Sequence, residues 1–426
     1  MGKDIVLYHN DLTDSDNWAA TSFLASAAFK NRDIDVIWIV EPRQVSLGLS
    51  MSEEQISACI RLLEVHFPSY GDPYKALRGG YLQRSDLDNI GGLTEHDRKL
   101  LEFAIKPAYG PKEDARLHGR LVALDFVNYL TAGRGLPVNV FLDVDALDDI
   151  ENPMNLNLHY HEELVPRSKE ELESYRDIMN EPHAQRVKDL RGWYKRCIES
   201  LEKTKLEGHT ISNLDLVWLC EKVKAANSVK YFGGASLGFL QRLIRAGAAG
   251  NVQCCLQAGA FDVGKSLFNN QFNIALNVDA ARFVFSKAHA FKNFSVVPAE
   301  TAKRIKYSLS GLSCINSLIG PRCLGFNRRV DPMKLATEEV TVIDFYHEAY
   351  TMPDLTAFLC GFCPSWFKSL SPAYARLVDT GSVLTLQLTN APGIRVYTIP
   401  DDILLAEDEF RNHYSMMEVD GTPFPE

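Results

Sequence analysis

The chain has 426 residues, of which 46% are hydrophobic and 23% are charged, and its formal net charge is −10 at pH 7. This composition is typical of folded globular proteins and excludes a disordered or fibrous chain. Because the net charge is negative, we do not expect a broad basic surface for nucleic-acid backbones. No apolar run reaches the roughly 20 residues that a bilayer-spanning helix needs, so we do not expect membrane association.

Two features predict the compartment. The first residues, "MGKDIVLYHND", lack the extended apolar region of a secretory signal, so we do not expect secretion. The nine cysteines are odd in number and scattered, which is typical of reduced thiols. Cys360 and Cys363 have CxxC spacing, but no second pair completes a zinc site, and we interpret them as thiols on an apolar segment. We therefore expect a cytoplasmic protein.

Six short apolar segments predict strands of one mostly parallel sheet. Each is nearly continuously apolar and is separated from the next by helical patterning, as in strands that crossover helices cover on both faces. In chain order the predicted strands are residues 5–8, 36–40, 138–142, 229–233, 252–257 and 294–298. The predicted helices are residues 17–31, 118–133, 214–227, 237–247, 278–288 and 354–362. This alternation predicts an α/β fold with a Rossmann-like, mostly parallel central sheet.

Three stretches depart from the alternation. Residues 50–116 combine helical pieces with Gly/Tyr/Pro loops, and residues 149–208 are densely charged and helical. We expect both to be helical insertions in a single domain that spans residues 1–426. Near the end, residues 382–399 predict a hairpin whose turn is the sequence "NAPG".

An acidic cluster follows the first predicted strand, at the edge of an open parallel sheet where ligands bind. Asp11, Asp14 and Asp16 lie between that strand and the next helix. In one interpretation, Ser15 or Asp16 caps the helix and its neighbours favour the helix dipole; the pattern alone favours this, because such clusters are common before helices. In the other, Ca²⁺ or Mg²⁺ offsets the repulsion among the carboxylates.

The strand, acidic loop and small-residue helix resemble the start of the nucleoside hydrolases, calcium-dependent enzymes that hydrolyse purine and pyrimidine ribonucleosides. Their signature is a strand ending in D-x-D-P-G-x-D-D. Laid over it without gaps, His9 falls on the first Asp, Asp11 on the second, Ser15 on the third and Asp16 on the last. The segment "VIWIVEPRQVSLG" is similar to the family's second-strand segment, with Gln44 at its Asn.

Later segments are similar to the same family. "NVQCCLQAGAFDVGKSLFNNQFNIALNVDAARFVF" resembles the segment that binds sugar hydroxyls, with Lys265, Gln271 and Asn273 at the binding positions. "VKYFGGASLGFLQRL" places the metal-binding carbonyl near Gly234, and "MPDLTAFLCGFCPSWF" places Asp354 at a metal-binding Asp. The resemblance covers residues 4–47, 121–145 and 216–399, and it omits the two insertions.

The resemblance implies one Ca²⁺ per chain, held by Asp11, Asp16, Asp354 and the carbonyl of Gly234. It also implies a water that attacks the anomeric carbon of a nucleoside or a ribosylated metabolite, with Asp11 as the base. The residues implied to contact this small-molecule substrate are Ser15, Gln44, Lys265, Gln271 and Asn273. The oligomeric state stays open, with a homo-oligomer as one alternative.

Several residues depart from the family's pattern. Ser15 and Gln271 stand where the family has carboxylates, and Pro353 stands where many members have a catalytic His. His347 is our candidate for the missing acid, although a structural role is the alternative favoured for a single histidine. These substitutions leave a second hypothesis, that the chain is a non-catalytic or repurposed protein of this fold that binds a ligand or serves a specialised pathway.

Overall fold

The computed structural model of the chain gives the arrangement of the strands and helices. It describes residues 4–399 apart from 13, 31–33, 43–52, 67–86, 88–90, 106–111, 132–137, 150–167, 180, 182, 206–207, 265–269, 316–317, 327–329, 363–369 and 382.

The described strands are numbered in chain order. They are β1 (Asp4–Asn10), β2 (Ile34–Val40), β3 (Asn139–Leu142), β4 (Thr210–Asn213), β5 (Val229–Gly233), β6 (Val252–Gln257), β7 (Asn293–Val297), β8 (Lys306–Ser308), β9 (Ala349–Thr351), β10 (Ser371–Asp379), β11 (Leu384–Thr389) and β12 (Ile394–Thr398).

The described α-helices are numbered in the same way. They are α1 (Ser15–Lys30), α2 (Glu53–His66), α3 (Glu95–Ile105), α4 (Lys112–Thr131), α5 (Ala146–Asp149), α6 (Lys169–Met179), α7 (His183–Lys205), α8 (Leu216–Ala225), α9 (Gly238–Arg245), α10 (Phe272–Ala275), α11 (Val278–Ser286), α12 (Ala299–Ala302), α13 (Leu309–Ile315), α14 (Ile319–Phe326), α15 (Pro332–Ala336) and α16 (Pro353–Phe362). None of these helices combines the length and the apolar content that crossing a membrane requires.

Ten strands form one sheet in the order β11-β10-β12-β7-β6-β5-β1-β2-β3-β4. The eight strands from β12 to β4 pair in parallel, and β10 pairs antiparallel with both β11 and β12. Strands β8 and β9 form a separate antiparallel pair. The prediction of an α/β fold with a mostly parallel central sheet is therefore confirmed, as are all six predicted strands and all six predicted helices.

Both faces of the sheet are covered by helices, which explains why the predicted strands are continuously apolar. Successive side chains of a strand point to opposite faces. Along β1, Val6 and Tyr8 belong to the core that contains side chains of α1, α4 and α16. Ile5 and Leu7 belong to the core that contains side chains of α8, α9 and α11. The strand therefore has no solvent-facing side from which a polar residue would reach water.

The predicted turn of the C-terminal hairpin is wrong. Strands β11 and β12, which flank the "NAPG" sequence, do not pair with each other, because β10 lies between them and pairs with both. The hairpin at the C-terminal end of the sheet is instead β10–β11, which closes at the pair Asp379 and Leu384 with Gly381 at φ 95°. Strand β10 escaped prediction because most of its side chains are not buried, so its sequence has no apolar run.

The two predicted insertions contain helices. Within residues 50–116 lie α2 and α3, and within residues 149–208 lie α6 and α7. Side chains of α6 and α7 pack with α4 in a third hydrophobic cluster that includes Leu121, Tyr175, Trp193 and Tyr194. The charged sequence of α6 and α7 is thus amphipathic, with one apolar side against α4. Their description as insertions in a single domain stays a prediction.

The same substitution in two helices should have opposite effects on stability. A Cβ at Gly361 in α16 would lie 2.7 Å from both Cys255 Cβ and Phe232 Cε1, whereas one at Gly192 in α7 would approach only the end of the Arg196 side chain, at 3.4 Å. We expect Gly361→Ala to lower the free energy of unfolding by about 1–3 kcal/mol through overpacking. Gly192→Ala should raise it by about 0.5–1 kcal/mol through helix propensity. Urea denaturation checks both, and equal effects would contradict the close approach of α16 to the sheet.

Candidate functional site

The loop between β1 and α1 is held in an unusual conformation. Leu12 is buried and has φ 56°, in the left-handed region that side chains other than glycine rarely adopt. Its N–H donates to Asn10 Oδ1 at 3.2 Å, and its carbonyl accepts from Trp18 Nε1 at 3.1 Å. The Asp14 N–H donates to Asn17 Oδ1 at 3.3 Å. These contacts offset the backbone strain and fix Asp11 and Asp14 at the end of β1.

Asp354 reaches this loop from the other end of the chain. It lies in the first turn of α16, and its N–H donates to Asp16 Oδ2 at 2.8 Å. Asn17 Nδ2 donates to Asp354 Oδ2 at 2.7 Å. Asp16 lies in the first turn of α1, where a carboxylate also favours the helix dipole. The first turns of two helices therefore present Asp16 and Asp354 to each other.

The pKa shifts of Asp16 and Asp354 show that the acidic side chains lie near one another. Burial, together with the nearby charge of Asp11, raises the pKa of Asp16 to about 6. Burial and then the charges of Asp16, Asp14 and Asp11 raise the pKa of Asp354 well above its ordinary value. Burial and this repulsion together make the ionised carboxylates unfavourable in the folded protein unless positive charge is added between them.

The donor atoms fit a hard cation. Asp354 Oδ1 is buried, and no hydrogen-bond partner for it is found among the described residues. Gly234 lies directly against Asp354: a Cβ at this position would clash with Asp354 Oδ2 and lie 2.7 Å from Asn10 Nδ2. All the side-chain ligand atoms in the cluster are carboxylate oxygens, the type that Ca²⁺ prefers. The structure thus brings together Asp11, Asp16, Gly234 and Asp354, the residues that the sequence resemblance groups as metal ligands.

A tighter group of ligand atoms lies nearby. Among the described residues, one set of three His, Cys, Asp or Glu side chains has its ligand atoms within 4.8 Å of one another, and it consists of His9, Glu41 and Asp143. The carboxylates of Asp11, Asp16 and Asp354 are more widely spaced than this. His9, Glu41 and Asp143 each directly follow a predicted strand or lie at its end, but the contact among them was not predicted, because it depends on the order of the strands in the sheet.

His9 is the centre of the second cluster and is fully buried. Its Nε2 lies 3.3 Å from Glu41 Oε2 and 3.2 Å from Asp143 Oδ2, and its Nδ1 lies 3.0 Å from the hydroxyl of Tyr231. Arg242 of α9 forms an ion pair with Asp143 Oδ2. Burial acts to raise the pKa of Asp143, but the hydrogen bond with His9 and the charge of Arg242 outweigh it, so that this pKa is lowered.

The described residues that were predicted to contact substrate are engaged with protein atoms. Ser15 is buried at the start of α1, and its side chain forms a hydrogen bond with the thiol of Cys323. Gln271 Nε2 donates to Gln257 Oε1 at 2.6 Å, and Asn273 Nδ2 donates to the Gln257 carbonyl at 2.9 Å. Gln257 is the last residue of β6, so Gln271 and Asn273 lie at the carboxyl end of this strand, and their contact with substrate stays a prediction.

The remaining predicted residues are not part of the described cluster. Gln44 and Lys265 lie outside the described residues. His347 is exposed in a turn that precedes β9, two residues after the 3₁₀ helix Val342–Phe345. Its role as an acid stays a prediction.

Comparison with known proteins gave matches among solved structures only. No family model matches the chain, and no curated protein matches it. An inosine-uridine preferring nucleoside hydrolase from Bacillus anthracis is 9% identical, with 97% of this chain and 98% of that chain covered and a TM-score of 0.44. A plant nucleoside hydrolase is 12% identical, with 98% of each chain covered and a TM-score of 0.44. The type III effector protein XopQ, complexed with adenosine diphosphate ribose, is 10% identical, with 99% and 94% covered and a TM-score of 0.43.

Replacing Asp354 should stabilise the protein when no divalent cation is present. Its raised pKa means that ionisation costs more free energy in the folded state than in the unfolded chain. Asp354→Asn removes this cost, and we expect the free energy of unfolding at pH 8 with chelator to rise by about 1 kcal/mol or more. Asp379→Asn is the matched control, because Arg282 lowers the pKa of Asp379, and its effect should be neutral or destabilising. A loss of stability in Asp354→Asn would contradict the repulsion.

Proposed function

We propose that this chain is a calcium-dependent hydrolase of the N-glycosidic bond of a nucleoside or a ribosylated metabolite. The observation that supports this most is the contact between Asp16 and Asp354, which come from opposite ends of the chain and meet at the carboxyl end of β1. Their burial and repulsion are unfavourable for a purely structural site, since a buried ionised group needs a partner. A site that binds a cation explains both features.

The proposed ligands of Ca²⁺ are Asp11, Asp16, Asp354 and the carbonyl of Gly234. Bound Ca²⁺ would supply positive charge that offsets the carboxylates and would polarise the oxygen atoms of a ribose ring that it contacts. The buried Asp354 Oδ1 and the absence of a side chain at Gly234 support this assignment. Water, or sugar hydroxyls from the substrate, would complete the number of oxygen ligands that Ca²⁺ takes.

Asp11 is the proposed base. It is 3% exposed, which keeps its carboxylate away from bulk water and close to Asp16 and Asp354. In glycoside hydrolysis the bond to the leaving group breaks through an oxocarbenium-like state while water attacks the anomeric carbon. The carboxylate of Asp11 would accept the proton of this water, and the negative charges around it would stabilise the positive charge that develops on the sugar.

Leaving-group chemistry and sugar binding would depend on the residues that depart from the family's pattern. The Pro353 side chain has no proton to donate, so we assign the acid to His347 and the sugar contacts to Ser15, Gln44, Lys265, Gln271 and Asn273. Ser15 and Gln271 have no charge to strengthen a hydrogen bond to a sugar hydroxyl. We therefore propose that the substrate differs from an ordinary ribonucleoside in its sugar or in an added phosphate.

One observation favours the alternative of a non-catalytic binding protein. The amide nitrogens of Gln271 and Asn273 both donate to Gln257. A sugar hydroxyl that binds there would have to replace these hydrogen bonds, which reduces the net gain in binding free energy. In a binding protein the acidic cluster would hold a cation without turnover.

Divalent cation binding is the first expectation that tests the proposal. We expect millimolar Ca²⁺ to raise the melting temperature of the wild type, because a ligand at 100 times its Kd stabilises the folded state by about 2.7 kcal/mol. Asp354→Asn should lose this shift, and Asp379→Asn should keep it. Differential scanning fluorimetry after chelation provides the measurement. If neither Ca²⁺ nor Mg²⁺ shifts the melting temperature of a protein that circular dichroism shows to be folded, the metal assignment is wrong.

Catalysis is tested by Asp11→Asn with Ca²⁺ present. Loss of a general base costs roughly 10²–10⁴-fold in rate, so we expect kcat to fall by at least a hundredfold. The exposed control Asp279→Asn should keep the wild-type rate. The assay measures reducing sugar and free base from a panel of ribonucleosides, deoxynucleosides and nucleoside 5′-phosphates. Unchanged turnover in Asp11→Asn would place the chemistry elsewhere.

The same panel of compounds tests the residues that we propose to contact the sugar. We expect inosine and uridine to be poor substrates, because each charge-assisted hydrogen bond that Ser15 and Gln271 fail to make is worth about 1.5–3 kcal/mol. Two such losses correspond to a hundredfold or more in kcat/KM. Efficient cleavage of inosine or uridine would show that other residues have replaced these contacts, and no cleavage of any compound would favour the binding protein.

A further inference from the structure

The cluster around His9 lies on the opposite face of β1 from Tyr8 and Asn10 and is separate from the proposed calcium site. We propose that His9, Glu41 and Asp143 bind one divalent transition-metal ion of the Zn²⁺ class. The three side chains come from three adjacent strands: His9 lies in β1, Glu41 follows β2 and Asp143 follows β3. The carboxyl ends of these parallel strands meet at one edge of the sheet, which brings the three ligands together.

The distances fit a metal site. His9 Nε2 is 3.3 Å from Glu41 Oε2 and 3.2 Å from Asp143 Oδ2, and the three ligand atoms lie within 4.8 Å of one another. Zn²⁺ binds imidazole nitrogen and carboxylate oxygen at about 2.0–2.2 Å in tetrahedral geometry, which places neighbouring ligand atoms about 3.3–3.5 Å apart. The two distances from Nε2 are close to this spacing, so small movements would create the site.

The surroundings orient the imidazole for a metal. The Tyr231 hydroxyl lies 3.0 Å from Nδ1, where it can accept a hydrogen bond from the Nδ1–H and leave the lone pair of Nε2 directed at the carboxylates. The imidazole stacks on Phe239 with ring centroids 4.4 Å apart, which fixes its plane. Ser236 Oγ donates to Glu41 Oε2 at 3.2 Å and holds that carboxylate in place. Supporting contacts of this kind are typical of metal-binding histidines.

The two carboxylates of this cluster offer negative charge to a cation. The side chains of His9, Glu41 and Asp143 are at most 1% exposed, and both carboxylates face the same imidazole nitrogen. A metal ion beside that nitrogen would relieve the repulsion between the two carboxylates. Arg242 contacts the same oxygen that faces His9, Asp143 Oδ2, and its Nη1 lies 3.9 Å from Asp145 Oδ2. The guanidinium is therefore shared with a second carboxylate, outside the proposed ligand set.

The ligand types separate this ion from calcium. Imidazole suits Zn²⁺ and related transition metals, whereas the all-oxygen cluster of Asp11, Asp16 and Asp354 suits Ca²⁺. An entering ion would pass Arg242, because its side chain is 11% exposed and contacts the largely exposed Asp145. Rotation of Arg242 would open this side of the cluster to an entering ion.

The experiment is a titration of chelator-treated protein with Zn²⁺ in the presence of saturating Ca²⁺. We expect one equivalent of Zn²⁺ by calorimetry, retained after gel filtration and counted by elemental analysis. His9→Gln should weaken Zn²⁺ binding at least tenfold, while Asp354→Asn and the exposed histidine variant His289→Gln should bind like the wild type. No zinc binding by the wild type, equal binding by His9→Gln, or loss of binding only in Asp354→Asn would overturn the proposal.

Anomalous diffraction keeps the test decisive if His9→Gln does not fold. Crystals of the full chain soaked in Zn²⁺ and Ca²⁺ should show a zinc peak within about 2.0–2.2 Å of His9 Nε2, Glu41 and Asp143. A zinc peak beside Asp354, or none at either place, would overturn the proposal. Because the zinc peak is located independently of catalysis, its presence or absence does not depend on whether the chain hydrolyses a nucleoside.

Discussion

Side chains along β1 alternate between the two faces of the sheet. This alternation decides on which face each polar residue at the carboxyl end of the strand lies. β1 is flanked by β5 and β2, and helices cover both faces of the sheet, so that each of its side chains enters one of two cores. Tyr8 and Asn10 lie on the side of α16, and His9 lies on the side of α9. One strand end therefore serves two polar clusters, one rich in carboxylates and one centred on an imidazole.

Burying a charged side chain raises the free energy of the folded protein, and the two clusters differ in how far other contacts offset this effect. At Asp143, the hydrogen bond with His9 and the ion pair with Arg242 outweigh desolvation, and the pKa falls. At Asp16 and Asp354, desolvation and mutual repulsion dominate, and the pKa values rise. The first arrangement can support the fold without any added ion, whereas the second is unfavourable until a cation joins it. Strain at Leu12 adds to the cost of the second, as is typical of sites that serve function rather than stability.

The described residues proposed to contact substrate are neutral, and they form hydrogen bonds with neighbouring protein atoms. Gln271 and Asn273 lie at the carboxyl end of β6 and satisfy their amides through Gln257, and Ser15 satisfies its hydroxyl through Cys323. Neutral side chains can pair in this way, whereas two carboxylates at the same positions would repel each other. The neutral side chains therefore need no added cation, whereas the buried carboxylates of Asp16 and Asp354 are unfavourable without one.

The sequence by itself determined the parts of this protein that local patterns encode. Continuously apolar segments fixed six strands of the parallel sheet, because strands covered on both faces have no polar side, and amphipathic periodicity fixed the helices between them. Strands β4 and β10 were missed because their side chains are largely not buried, and the C-terminal turn was misassigned because two strand-like segments do not specify that a third lies between them. Family resemblance grouped Asp11, Asp16, Gly234 and Asp354. Only the tertiary structure decided that His9 lies apart from them against Glu41 and Asp143, which pairs with Arg242, because these contacts depend on strand order and on the packing of helices far away in the chain.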